Sequence, residues 1–224
     1  MELMAATVPC PVSRDADRED APAAGLASDD FTQRADPWSL FRDWMEAAGR
    51  AEPNDPNAMA LATVGTDGLP NVRIMLLKAF DERGLVFFTN DRSAKGEELS
   101  ENAQAAVVLH WKSLRRQVRA RGSVTRVSPE ESDTYFASRP RESRIGAVAS
   151  RQSHPLADRA TLMREAAAIA ARHEDGPVPR PAHWSGYRIA PVSIEFWQDG
   201  ACRLHDRVHF KRADVGWTRV RLYP

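Results

Sequence analysis

NAMALATVGTDGLPNVRIMLLKAFDERGLVFFTN, residues 57 to 90, decides the fold class. Three apolar runs are divided by two turn signals, TDGLP and DERG. Each run is short and apolar and is bounded by turn residues. The stretch reads as three consecutive antiparallel strands. Downstream, QAAVVLHW (104–111) and RRQVRARGSVTRV (115–127) read as two more strands. In the second of these, Gln117, Arg119 and Arg121 share one face while Val118 and Ala120 point the other way. The chain closes with strands in YRIAPVSIEFWQ (187–198), CRLHDRVHF (202–210) and WTRVRLYP (217–224).

Helices interrupt this pattern. In DPWSLFRDWMEAAGR (36–50), Asp36 is an N-cap and Pro37 suits the first helical position. Trp38, Phe41, Trp44 and Met45 then recur on one helical face. SAKGEELSENA (93–103) reads as a short helix with Ser93 near its start. SPEESDTYFASRP (128–140) opens with a capping box of Ser128 and Glu131 and stops at Pro140. HPLADRATLMREAAAIAARH (154–173) is the longest helix, and GPVPRPAHW (176–184) is a stiff loop. Residues 1–35 carry no hydrophobic period and read as a flexible N-terminal tail. Residues 36–224 form one domain. Its class is mainly β with peripheral helices (α+β), an antiparallel, Greek-key-like barrel or curled sheet.

Composition bounds the function. Of 224 residues, 42% are hydrophobic and 28% charged, with 31 basic and 31 acidic residues balancing to zero. A dedicated nucleic-acid binder carries a basic excess, so nucleic acid is not an expected partner. The two cysteines, Cys10 and Cys202, make neither a disulfide framework nor a metal spacing. With no apolar run long enough to span a bilayer, the expected place is the cytoplasm.

Local chemistry is suggestive without being decisive. TNDRSAKG (89–96) runs from a strand into a helix start, which is either an anion site or a cap with a solvated lysine, Lys95. ASRPRESRIG (137–146) gathers Arg139, Arg141, Ser143 and Arg144 at a helix break, a place for a phosphate or carboxylate. RRQVRARG lacks the interleaved aromatics of a single-strand platform and reads as a solvated face. His205 and His209 are spaced for zinc only on a helix, and these flanks alternate like a strand, so no metal is expected. On such a strand Arg203, His205 and Arg207 share one face. Two anion sites beside aromatic and amide groups suit ligands with two phosphates and flat rings.

Taken in order, RIMLLK, FFTNDRSAKG, LRRQVRARG, YFASRPRESRIGAVASRQS, VPRPAHWSGYRI, IEFWQ and RLHDR give the chain a family look. From about residue 37 onward it resembles the pyridoxine/pyridoxamine 5′-phosphate oxidases, FMN-dependent flavoproteins. The resemblance implies an FMN-binding split β-barrel, working as a homodimer with FMN at the interface. It implies oxidation of pyridoxine or pyridoxamine 5′-phosphate to pyridoxal 5′-phosphate, with dioxygen giving hydrogen peroxide. Matched by motif, the cofactor would be held by Arg73, Ile74, Met75, Leu76, Leu77, Lys78, Phe88, Thr89, Lys95, Gln117, Gln152, Ser153, Trp197 and Arg207. The substrate phosphate would be gripped by Lys78, Tyr135, Arg139 and Ser143. Arg203 and His205 would press the substrate ring against the flavin and serve at the reacting carbon. Related readings are a split-barrel flavin oxidase for a phenazine-type substrate, or a non-catalytic binder of FMN or pyridoxal phosphate.

Three departures stand out. Many members read Ser-Arg-Lys where this chain has Ser93, Ala94 and Lys95, which removes one cation from the phosphate site. Many carry Tyr where Phe88 stands. A substrate-covering segment with Arg and Tyr, found in some members, has no match in ASDDFTQRADPW (27–38).

Overall fold

The computed structural model describes residues 30–224, and most of the expected tail lies outside them. Order begins before residue 36. Phe31–Gln33 form a 3-10 turn capped by Asp30, and Thr32 is buried. Phe31 packs on Trp44 with ring centroids 5.1 Å apart.

Helix α1, Pro37–Ala51, starts as its sequence dictates: the Asp36 carboxylate accepts from the backbone N–H groups of Trp38 and Ser39. Its apolar face packs on the inner surface of a sheet. Trp44 meets Trp111 and Phe196 edge-on, and Phe41 meets Phe80 at 4.7 Å. Each such fully buried side chain contributes about 1.5–3 kcal/mol relative to exposure.

The sheet has nine strands: β1 (Ala58–Val64), β2 (Pro70–Leu76), β3 (Ala79–Asp81), β4 (Gly84–Asn90), β5 (Gln104–Trp111), β6 (Arg116–Arg126), β7 (Trp184–Gln198), β8 (Asp206–Arg212) and β9 (Trp217–Arg221). The order is β2-β1-β5-β6-β7-β4-β3, with β8 and β9 branching from β7. All pairs are antiparallel. β4 lies beside β7 although β5 and β6 intervene in the chain, which is a Greek-key arrangement. The inward residues, among them Leu61, Leu109, Val118, Phe196, Val208 and Phe210, alternate along their strands and are almost fully buried.

The expectation of three consecutive antiparallel strands over 57–90 needs correction, because the second run divides into β2 and β3. β1 and β2 form a hairpin, but β4 pairs with β3 and β7, not with β2. The chain breaks at Leu77–Lys78. The Leu77 N–H donates to Asn57 O at 2.9 Å, extending one edge, and the Lys78 N–H donates to Val86 O at 2.8 Å, starting the other. The Asn57 side-chain amide fixes the break by donating to Leu77 O at 2.8 Å. Two residues span only about 7 Å. The opposite edges of the sheet are therefore drawn together, and it curls into a barrel. No ladder joins β2 to β3, so the barrel stays open at this seam.

A split opens along β7. Its first half, Trp184–Ile189, pairs with β4, and its second half, Ser193–Gln198, pairs with β8. Pro191, which has no N–H to give a ladder, sits at the hand-over. Opposite it, β6 bulges between Arg121 and Gly122. A Cβ on Gly122 would lie 1.9 Å from Ala190 O, a backbone atom that cannot step aside. Gly122→Ala is therefore expected to lower stability by more than about 2 kcal/mol, read as a drop in the denaturant midpoint.

Among the described residues, four further α-helices accompany α1. Ser93 caps α2 (Ala94–Glu101), and Ser128 caps α3 (Pro129–Ser138). The reciprocal half of the α3 capping box is absent, because Glu131 accepts from Arg188 instead. α3 stops ahead of Pro140 as expected, but a further helix follows at once. Arg139 and Pro140, with ψ of 148° and 144°, interrupt the helix, and α4 (Arg141–Ala149) begins with Pro140 as its N-cap. α5 (Arg159–Arg172) is capped by Asp158 and has no buried residue. It packs on α4, and Arg141 ties its end by donating to His173 O and Gly176 O.

Candidate functional site

The seam, the end of β4 and helices α3 and α4 enclose a cleft of about 590 Å³. Ile74, Met75, Leu76 and Lys78 line it from the seam, and Phe88, Thr89 and Asn90 from β4. Tyr135, Arg139, Ser143 and Gln152 close it. Ten of the residues matched by motif thus meet in one place, although they come from five separate segments.

Behind one end of the cleft lies Lys95, bonded to the lining residues Thr89 and Gln152. The residue is 6% exposed, and its Nζ donates to Gln152 Oε1 (2.9 Å), Ser93 Oγ (3.0 Å) and Thr89 Oγ1 (3.1 Å). All three acceptors are neutral. Burial, and then the Arg73 guanidinium nearby, bring the Lys95 pKa down to about 8, against the opposing pull of Glu98. Glu98 is engaged elsewhere, accepting from Arg73 at 3.0 Å, Asn71 at 2.8 Å and Thr63. A buried cation without its own carboxylate, in the first turn of α2, suits a phosphate. Gly96 makes the tight approach possible: a Cβ there would sit 2.2 Å from Asp91 O. Asp91 is anchored in turn by Ser185 Oγ (2.9 Å), Tyr187 Oη (3.0 Å) and Arg126 (3.0 Å). Burial, with the Asp91 charge adding to it, pushes the Tyr187 phenol up to about 12, so it stays a donor.

The other end is aromatic and cationic. Phe88, Tyr135 and Trp184 lie near-parallel in one cluster, Phe88 being 4.1 Å from Tyr135 (17°) and 5.3 Å from Trp184 (10°). Gly186 gives Phe88 its room, because a Cβ there would meet the ring at 2.5 Å. Arg139 lies over Trp184 at 5.0 Å and over Phe136 at 5.5 Å. Its Nη1 is buried with no partner, an orphaned donor beside Ser143 and Lys78 in the cleft wall. An anion there would satisfy it. The donor sets at both ends fit the phosphates of a flavin mononucleotide and a small phosphorylated ring.

A second cluster lies elsewhere. Gln117, Trp197 and Arg207 are ladder neighbours on β6, β7 and β8. Arg207 donates through Nε (3.0 Å) and Nη2 (2.8 Å) to Glu195, and through Nη1 to Tyr223 O (2.8 Å). Glu195, 3% exposed, also accepts from Arg119 at 2.6 and 3.1 Å. The His205 ring lies 4.7 Å from Trp197. Trp184 and Trp197 stand at opposite ends of β7, which would set them up to about 40 Å apart along a straight strand. The two clusters of one chain do not share one ligand.

RLHDR is not the strand that its alternation implied. Ala201–Arg203 form a 3-10 turn, β8 begins only at Asp206, and Cys202 and Arg203 have φ of 53° and 62°. Arg203 is exposed on this turn. The shared face of Arg203, His205 and Arg207 therefore does not form by strand pleating. Of the remaining matched residues, Leu77 turns its side chain into the core, and Arg73 is engaged by Glu98 and Thr63. Ser153 is exposed in a turn with φ of 71°.

Sequence reading did not single out Trp184, Asp91, Glu195 or Asp199. Glu195 carried the clearest signal, as a lone acid inside an apolar strand. Its arginine partners come from other strands and are visible only once register is known.

Residues 45–173 match the family described as pyridoxamine 5′-phosphate oxidase, and residues 184–224 match the pyridoxine 5′-phosphate oxidase C-terminal dimerisation region. The pyridoxine/pyridoxamine 5′-phosphate oxidase of Agrobacterium fabrum is 57% identical over 202 residues, covering 89% of this chain and 98% of the relative. The structure of PhzG from Burkholderia lata 383, in complex with tetrahydrophenazine-1-carboxylic acid, is 32% identical with a TM-score of 0.80. It covers 86% of this chain and 94% of PhzG. A pyridoxamine 5′-phosphate oxidase-related FMN-binding protein from Nostoc punctiforme shares the fold, with a TM-score of 0.68 at 18% identity, covering 86% of this chain and 100% of that protein.

Proposed function

The chain belongs to the pyridoxine/pyridoxamine 5′-phosphate oxidase family, and on that premise we propose that it oxidises pyridoxine and pyridoxamine 5′-phosphates to pyridoxal 5′-phosphate. The observation that carries the reading is the cleft itself, with a buried lysine that has no carboxylate partner behind Thr89 and Gln152, and an orphaned arginine donor in its wall. FMN, when bound, takes the hydride from the 4′ carbon and returns electrons to dioxygen, giving hydrogen peroxide.

The residues divide by role. Lys95, Gln152 and Ser153 hold the FMN phosphate, and Arg73 with the Ile74–Leu77 backbone, Phe88 and Thr89 lies along the cofactor. Lys78, Tyr135, Arg139 and Ser143 grip the substrate phosphate. Gln117, Trp197 and Arg207 reach the flavin from a second copy of the chain. Arg203 and His205 come with them and hold the substrate ring. The separation along β7 supports this division, as does the match of residues 184–224 to a dimerisation region. The outer sheet face also suits a homodimer. Ile74, 67% exposed, continues through Ala60 and Val108 to Arg119, Glu195 and His209 in one row across the strands. No helix among the described residues is long and apolar enough to cross a membrane, and a cytoplasmic place agrees with this.

The test is anaerobic. Protein loaded with FMN is mixed with pyridoxine 5′-phosphate, and the flavin absorbance is followed. Bleaching with an equal yield of pyridoxal 5′-phosphate is expected. A flavin that stays oxidised with both vitamers, yet bleaches with a reduced phenazine precursor, would move the function to the chemistry of PhzG. The phosphate grip has its own check. Arg139→Ala is expected to raise KM for pyridoxine 5′-phosphate by about 10- to 100-fold with a smaller change in kcat. An unchanged KM would remove Arg139 from the substrate site.

A further inference from the structure

The loop that joins β7 to β8 holds a carboxylate with no role in the assignment above. Asp199 Oδ1 lies 2.9 Å from His205 Nδ1. On its other side, Asp199 Oδ2 accepts from Arg115 Nε at 2.6 Å, and the Asp199 N–H donates to Arg115 O at 3.0 Å. Arg115 reaches this place from the β5–β6 turn with a φ of 54°. The turn and the loop are thus docked to each other through Asp199. Gly200 lets the loop fold tightly, since a Cβ there would lie 2.2 Å from Leu204 O. Trp197 covers one side of the imidazole.

Two groups compete for His205 Nδ1. The Gly200 N–H points at it from 3.1 Å, which would need a lone pair there, while the Asp199 carboxylate at 2.9 Å needs a proton there. A carboxylate facing a bare lone pair is repelled, whereas N–H to carboxylate is a charge-assisted bond of roughly twice the ordinary strength. The carboxylate decides. We infer that Asp199 is a positioning residue that keeps the His205 proton on Nδ1 and so turns an Nε2 lone pair toward the substrate. The inference rests on the oxidase reading. In the alcohol reaction the C4′–H bond breaks and its electron pair leaves with the hydrogen to FMN. The C4′ hydroxyl proton passes to Nε2 as the carbonyl forms, and Asp199 faces the resulting imidazolium. The His205 side chain keeps 20% of its surface, a route for that proton to solvent.

The experiment uses the full chain loaded with FMN and labelled with ¹⁵N-histidine, the His205 signals being assigned by their loss in His205→Gln. A protonated Nδ1 and an unprotonated Nε2 are expected. Asp199→Asn, whose amide can donate to Nδ1, is expected to invert that pattern. It should also slow anaerobic flavin reduction by at least about tenfold, with FMN affinity within twofold of the parent. Asp199→Glu should restore both the tautomer and part of the rate. A proton on Nε2 in the parent overturns the inference, as does an Asp199→Asn protein that reduces its flavin at the parent rate. A parent that never reduces its flavin overturns the oxidase reading first and takes the proton-accepting role with it. The nitrogen signals still report whether Asp199 sets the tautomer.

Discussion

Replacing Lys95 with methionine is expected to weaken FMN binding by roughly 30- to 150-fold, the equivalent of about 2–3 kcal/mol for a charge-assisted contact to phosphate. The substitution keeps the length and packing of the side chain and removes only the ammonium. Quenching of FMN fluorescence during titration reads the change directly. The parent protein should show a matching pH dependence. Burial and Arg73 have lowered the Lys95 pKa to about 8, so the free protein loses this charge as pH rises through that value. FMN affinity is then highest below pH 8 and falls by up to about tenfold per pH unit above it. Before FMN binds, the sign for stability is the reverse. The unfolded lysine holds its proton up to its usual pKa of 10.5, so between about 8 and 10.5 the unfolded chain binds more protons, and this group's contribution to stability rises with pH. In Lys95→Met both dependences should flatten. An unchanged affinity profile would separate Lys95 from the cofactor.

Mixed dimers give the second large effect. Lys95→Met damages the cleft formed by β4 and α2, and Arg203→Ala damages the β7–β8 loop on the far side of the barrel. Each homodimer alone is expected to be nearly inactive at limiting FMN. If every site takes its cleft from one copy and its loop from the other, a heterodimer holds one intact site and one doubly damaged site. Unfolding and refolding an equal mixture should therefore recover about a quarter of the parent activity, because half of the dimers are mixed and each of these has one good site of two. Recovery of nothing would place both clusters of a working site on the same chain. The arrangement along β7 argues against that outcome, since its two ends would lie up to about 40 Å apart along a straight strand.

What could be read from the residues followed the range of the interactions involved. The starts of α1, α2 and α3 were legible because Asp36, Ser93 and Ser128 bond to N–H groups two or three residues away. The strands were legible because pleating imposes a period of two. The break at Leu77–Lys78 was not, because MLLKAF carries no turn residue and the pairing that divides it comes from Asn57 and Val86. The turn in RLHDR was hidden for a related reason. Its positive φ values fall on Cys202 and Arg203, not on glycine, and only Gly200 upstream hinted at a tight loop. Pro140 stopped α3 as read, but the start of α4 directly after it was not foreseen, because proline opens a helix as readily as it ends one. The cleft was legible only in pieces. Lys95 and Arg139 each sat in an ambiguous motif, and it is the barrel seam that sets Lys78 beside the anion end held by Arg139.

That seam has a consequence for how the cleft meets its ligand. Most binding loops can open on their own at little cost, and a ligand must then restrict them. Lys78 has no such freedom in its backbone. Its N–H is part of one sheet edge, and the N–H of the residue before it is part of the other. Freeing this segment means parting both edges at once, which is a large fraction of unfolding the barrel. The backbone entropy of Lys78 is lost when the protein folds, not when a ligand arrives, and only its side-chain rotamers remain to be fixed on binding.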